Sequence, residues 1–434
     1  MSLKAAVEKE GTGPEEPRLA FRPKPPVKPE DLDIPQSIAE DLMLRYLYTR
    51  GAGSLRGLSR ALKLSFPLLH TLFQQLRGQQ FFEISGMDGN DYIFSLSAIG
   101  REHAAKRFLT CHYIGPAPVS VASYKNAVRT QAAQPVIDRH VLKVVLADLV
   151  VTDRFIDELG PALISQKSIF LYGPTGNGKT SVVSRLSRIH RDAIVIPYAV
   201  EVDGQVIIVF DPAVHERIGD GVRGLDPRWV VCRRPLVIVG GELEPNMLEL
   251  QLEESAKVYA APIQMRANNG MLVIDDFGRQ VMAPVYLLNR WIVPLDRRVD
   301  YLTLRYGLKF QVPFELTVVF ATNLDPSDLA DEAFLRRIPN KILVDAVDGD
   351  VFDRIFARRL KEKRLACGPD VSPFFRNLCM EMGGELRACQ PADILNILVS
   401  ISEFEGREPM VTPQSLSRAA GLYFAKPKGA VEPD

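Results

Sequence analysis

The chain of 434 residues is longer than one hydrophobic core supports, so two or three domains are expected. Lys plus Arg equals Asp plus Glu at 53 each, which excludes a chain whose main business is coating nucleic acid and leaves room only for a local basic patch. Hydrophobic residues at 46% suit a soluble globular protein, no apolar run reaches the ~20 residues of a membrane-spanning helix, and the five cysteines are too scattered for metal or disulfide spacing.

Lys4, Glu8, Lys9 and Glu10 interrupt the stretch where an apolar leader would lie, so a cytoplasmic location is expected. Residues 11–35 carry seven prolines and cannot form helix or interior strand, so residues 1–35 are expected to be an extended, mobile tail. From Ser37, Ile38, Leu42 and Tyr46 share one helical face, and Gly51 ends that helix. Ser54 caps a second helix ending near Leu62, and a third covers Phe66–Arg77. Two strands, Phe81–Ile84 and Tyr92–Leu96, flank an Asp88-Gly89 turn, and a helix around Ile99–Ala104 follows. Three helices, a hairpin and a closing helix look like a winged helix-turn-helix over 36–112. Residues 113–137 read as a linker opened by Gly115-Pro116-Ala117-Pro118.

Beyond it, short continuous apolar strands alternate with helices: Ile169–Tyr172, Ala193–Ile196, Leu272–Ile274, Val318–Ala321 and Ile342–Val344. That alternation predicts an α/β domain over 138–345 with a parallel sheet covered on both faces. Four helices are expected over about 350–363, 372–382, 391–405 and 412–424, within a helical segment 346–425 before a short tail, 426–434.

Gly173-Pro174-Thr175-Gly176-Asn177-Gly178-Lys179-Thr180, followed by Ser181, lies between an apolar strand and a helix and meets the Walker A requirement in residues and context. Glycines let backbone N–H groups close around phosphates, and the helix starting at Lys179 points its positive dipole end at the same anion. Lys179 is expected to reach the β- and γ-phosphates and Thr180 to ligate Mg²⁺. Downstream, Met271-Leu272-Val273-Ile274-Asp275-Asp276 is an apolar strand ending in two carboxylates. Asp275 is expected to hold Mg²⁺ and Asp276 to orient and deprotonate the attacking water. The strand Leu316–Ala321 ends in Thr322-Asn323; Asn323 is a candidate water or γ-phosphate contact, with helix capping the competing role. Arg336 and Arg337 end an acidic helix from Asp331, as ordinary ion-pair partners or as arginine fingers toward a neighbouring subunit.

In this order the motifs resemble the AAA+ ATPase superfamily: a P-loop α/β module with a helical lid, here preceded by a winged helix-turn-helix. Tyr198–Gln205, Ile274–Gln280 and Leu288–Leu295 are similar to a bacterial group of predicted ATPases with chaperone activity, some linked to pilus assembly. The resemblance implies ATP and Mg²⁺ as ligands, a homo-oligomeric and most often hexameric ring, and mechanical remodelling of a protein partner. It also implies a lid arginine at the site, and Arg387 is placed for it. A DNA-associated ATPase is the alternative, with Phe66–Arg77 in the major groove. His70, Thr71, Gln74 and Gln75 on that helix are not basic, and 36–112 carries nine Lys/Arg against six Asp/Glu, so protein contact is favoured. The superfamily usually has Glu where this chain has Asp276. Ninety-six residues separate Lys179 from Asp275, which predicts an insertion around 197–245 with a hairpin across Asp203-Gly204 and a strand Leu236–Val239.

Overall fold

The computed structural model describes residues 18–132, 136–219, 222–329, 332–368 and 370–424, and the backbone alone at Ala333. The expectations for residues 1–17, Asp331 and 426–434 lie outside the described residues. Among the described residues, no helix is long and apolar enough to cross a membrane.

The helix Gln36–Arg50 stops at Gly51, whose φ of 83° is open to glycine and costly for other residues. Ser54 Oγ accepts the Gly57 N–H and starts Leu55–Leu62; Ser97 Oγ accepts the Gly100 N–H and starts Ala98–Thr110. Between them run Phe66–Gly78 and the hairpin Phe82–Asp88 with Asp91–Leu96. A third strand, Ala52–Ser54, pairs with Asp91–Leu96; its three residues are too few to show alternation in the sequence. Leu42, Leu58, Leu69, Phe73 and Phe94 form the core, with the rings of Phe73 and Phe94 4.5 Å apart. Buried Asp91 accepts the N–H groups of Leu55 and Arg56, joining the hairpin to the second helix.

Residues 18–35 correct the expectation of a mobile tail. They are largely extended, apart from one 3-10 turn at Pro29–Asp31 where proline sits at the first helical position it tolerates, and they are docked at several points. Leu19 bridges to Ala193, the Pro23 carbonyl accepts the Asp226 N–H, and the Pro26 carbonyl accepts from Ser65 Oγ. Phe21 packs edge-on against Trp229. Proline already restricts the unfolded chain, so docking orders little more of it, and its carbonyls remain available as acceptors. The supposed linker is likewise structured. Val119–Ser120 pairs with Ala199–Val202 and leads into the helix Val121–Thr130, because Val119, Tyr124, Ala127 and Val128 bury into one core.

The parallel sheet has five strands in the order Leu236–Val239, Met271–Ile274, Thr317–Thr322, Ile169–Tyr172 and Asn340–Leu343. Two strand assignments are corrected here. Leu236–Val239 belongs to this sheet rather than to the insertion. Ile194–Pro197 does not belong to it, pairing antiparallel with Trp229–Cys232. Both are short apolar runs, and such a run reads the same in sequence whichever sheet it joins. The insertion's strands Gln205–Ile208 and Ala199–Val202 join Gln251–Glu253, Val258–Ala260 and Val119–Ser120, all three outside the expected 197–245, in a second five-stranded sheet. Its hairpin turns at Asp203-Gly204, both at positive φ as a primed turn requires. A hairpin of Val299–Thr303 with Lys309–Pro313 precedes the strand Thr317–Thr322 and sends Leu302, Leu304 and Val312 into the insertion's core.

The described residues close with four helices, Gly349–Lys363, Val371–Gly383, Gln390–Phe404 and Pro413–Tyr423, close to the spans read from periodicity. Phe352, Phe356, Phe375, Ile394, Leu398 and Leu416 bury among them.

Candidate functional site

Three adjacent strands deliver the candidate residues to one edge. Tyr172 is in register with Thr322, and Ile274 with Phe320, so Gly173, Asp275 and Asn323 all leave the sheet at its C-terminal edge. The backbone after Tyr172 then depends on glycine. Gly173 has φ 135°, and a Cβ there would lie 2.3 Å from the Val344 carbonyl oxygen. Gly176 has φ 83°, and a Cβ there would lie 2.6 Å from Cys389 Sγ. The helix Lys179–Leu186 follows Gly178 directly, leaving its first N–H groups without intrahelical partners.

Lys179 Nζ donates to the carbonyls of Gly173 and Pro174 at 2.8 and 2.9 Å, folding its cation over the loop's hollow. Burial pulls this ammonium below its ordinary pKa, while Asp275 and Asp276 act in the opposite direction. Thr180 Oγ1 donates to Asp275 Oδ2 at 2.8 Å across 95 residues of sequence. Asp275 Oδ1 accepts the Asp276 N–H, and Gln280 Nε2 holds the Asp275 carbonyl at 2.8 Å. Asp276 sits at φ 49°, a left-handed conformation that a short polar side chain tolerates, and its side chain is exposed.

These groups open onto a cleft of about 410 Å³. Thr175–Ser181, Asp275 and Asp276 form one wall; Leu149, Val150, Val151, Ile355 and Ala392 add apolar surface. Arg358, Arg359, Cys389 and Asp393 complete the lining from the C-terminal helices. None of residues 148–151, Ile355, Arg358, Arg359 or Cys389 was singled out from sequence. They carry no local motif and meet only through folding.

Other expected residues stand apart from the lining. Asn323 Oδ1 is buried without a hydrogen-bond partner, and neither Thr322 nor Asn323 caps a helix: Thr322 Oγ1 accepts the Leu324 N–H in a turn, and Asp325 Oδ1 accepts the Ser327 N–H at the start of Pro326–Leu329. Arg337 Nε pairs with Asp296 Oδ2 at 2.9 Å, and Arg336 is exposed. Arg387 lies beside the phosphate loop but pairs with Glu385 at 2.8 Å. Ser181, already in the cleft wall, accepts Arg185 Nη1 at its carbonyl.

The donors fit a magnesium–triphosphate. The loop offers a cation, free N–H groups and space created by missing Cβ atoms. The Thr180 hydroxyl and Asp275 carboxylate are hard oxygen ligands of the kind Mg²⁺ accepts while retaining water.

Residues 348–422 match a family described as a domain of unknown function (DUF8689). No curated protein matches the sequence. Among solved structures, NtrX from Brucella abortus is 14% identical, with a TM-score of 0.41 over 67% of this chain and 60% of that one. A RuvB mutant from Thermotoga maritima is 13% identical, with a TM-score of 0.38 over 64% of this chain and 71% of that one. The chain thus spans less than two thirds of the NtrX chain's length.

Proposed function

We propose that this chain is a magnesium-dependent ATPase of the AAA+ type that works as a ring to remodel a protein partner. The observation that carries the nucleotide reading is the 2.8 Å contact between Thr180 and Asp275 beneath a glycine-built loop capped by Lys179. Gly173–Ser181 would bind the triphosphate, with Lys179 leaving its carbonyl partners for phosphate oxygens. Thr180 and Asp275 would hold Mg²⁺, which supplies charge neutralisation at the phosphates. Asp276, exposed toward the cleft, is the group to accept a proton from the attacking water. Asn323, which leaves the sheet at the same edge as Asp275, is the candidate to orient that water. Of the two arginines, Arg336 is the better candidate to act across a subunit interface, because Arg337 is engaged with Asp296.

The module before the α/β domain suits a winged helix used for recruitment. Its third helix exposes His70, Gln74, Gln75 and one basic residue, Arg77, which is little charge for a DNA reader. DNA contact therefore stays the less favoured alternative. Order of the ring and ATP specificity come with the AAA+ reading. The test is ATP turnover and nucleotide affinity of the full chain against Lys179→Ala. Loss of both in the variant is expected; unchanged turnover would sink the reading.

A further inference from the structure

A second cleft, of about 440 Å³, lies where the N-terminal module 36–112 meets the insertion. It is as large as the cleft of about 410 Å³ at the phosphate loop and shares no lining residue with it. Both volumes fall in the range that small-molecule ligands fill. Lys63 lines the second cleft from the turn that ends Leu55–Leu62, and Arg217 and Arg223 line it from the insertion. The backbone at both arginines is held in place. Arg217 bridges to Cys232, the Ile218 N–H donates to the Val231 carbonyl, and the Arg223 carbonyl accepts Arg22 Nη2 from the docked segment 18–35 at 2.7 Å. Ile218, Val222 and Leu225, half-buried against the insertion's core, add an apolar side.

The charge here is unbalanced in a way the neighbourhood is not. Nearby Arg228 pairs with Asp226, Arg233 with Glu216 and Arg234 with Asp192. Lys63, Arg217 and Arg223 have no carboxylate partner among the described residues. The carboxylate in the cleft's described lining, Asp226, is 1% exposed and engaged by Arg228. Three cations on one concave surface focus a positive field and concentrate anions there. A phosphate monoester brings up to two charges and three acceptor oxygens, which suits two guanidinium forks and an ammonium. A nucleic-acid strand wants a groove of cations that tracks its backbone, whereas these are gathered in one hollow beside apolar side chains.

We infer that this cleft binds a phosphorylated small molecule of about nucleotide size, with its phosphate on Arg217, Arg223 and Lys63 and its apolar body on Ile218, Val222 and Leu225. The bound phosphate ties the module 36–112 to the insertion, because Lys63 belongs to one and both arginines to the other. The site is separate from the phosphate loop and does not rest on the ATPase reading.

The experiment titrates naphthyl phosphate into the full chain by calorimetry, in a Lys179→Ala background that disables the phosphate loop. Micromolar binding is expected, with naphthol failing to bind. Arg217→Ala and Arg223→Ala should each weaken the affinity about tenfold, and Lys63→Gln about threefold. Arg233→Ala, at an exposed neighbour outside the lining, should leave it unchanged. Each variant is checked for an unchanged thermal midpoint. Absence of binding at millimolar ligand overturns the inference, as does full affinity in any of the three cleft variants. An equal loss in Arg233→Ala overturns it too, since the attraction is then a diffuse field. So does a single-stranded oligonucleotide that binds more tightly than naphthyl phosphate and depends on the same three cations, which makes the cleft a nucleic-acid contact instead.

Discussion

Arg228 ties together three segments far apart in sequence, and truncating it should release all three. Its guanidinium is 4% exposed. Nε and Nη2 engage both oxygens of Asp226, itself 1% exposed, while Nη1 donates to Asp33 Oδ1 at 2.8 Å and to the Pro118 carbonyl at 3.1 Å. Asp33 in turn accepts the Ser120 N–H. Arg228→Ala leaves the Asp226 carboxylate buried with only the backbone N–H of residue 228, and a buried pair broken on one side costs about 3–5 kcal/mol. The chain contains several cores, so one global unfolding energy is the wrong readout. Hydrogen exchange at the amides of Ser120 and Asp226 reports the region directly, because these donate to Asp33 and to the Pro23 carbonyl. Exchange there should accelerate about a hundred- to thousandfold, at about tenfold per 1.4 kcal/mol. Amides of the strand Ile169–Tyr172 should be unaffected. Acceleration below tenfold, or equal acceleration throughout the chain, would refute the clamp.

Asp276→Asn should retain ATP affinity within about threefold and lose turnover by at least about a hundredfold, measured by phosphate release. Gly173→Ala should abolish nucleotide binding in a titration, since the new methyl meets the Val344 carbonyl and the φ of 135° is closed to it. If Arg336 acts in trans, mixing Arg336→Ala with Lys179→Ala subunits should restore part of the turnover that each lacks alone. Burial, helped by Arg234 and opposed by Asp192, pushes the His190 pKa from 6.5 down to about 4. The unfolded chain therefore takes up a proton here that the folded chain refuses between those values, and stability falls as pH drops through that window. The loss is at most about 3 kcal/mol, and His190→Gln should flatten the thermal-midpoint profile between pH 6.5 and 4.

Some of this protein was legible from sequence because its determinants are contiguous. A glycine turn between an apolar strand and Lys179-Thr180 specifies a phosphate loop through local backbone sterics. Paired aspartates after Met271–Ile274 fall at a strand end for the same reason, and periodicity located the C-terminal helices to within two residues. The tertiary structure decided what depends on long-range choice of partner. It assigned Leu236–Val239 to the parallel sheet and Ile194–Pro197 elsewhere, a difference of neighbours that identical apolar runs do not encode. Docking of the proline-rich strap rests on Asp33 meeting Arg228 across 195 positions. The apolar side of the cleft draws Leu149–Val151, Ile355 and Ala392 from three separate segments. Arginine partners were equally out of reach: Arg337 finds Asp296 and Arg387 finds Glu385 because charge pairs by proximity in space, with no period along the chain to announce it.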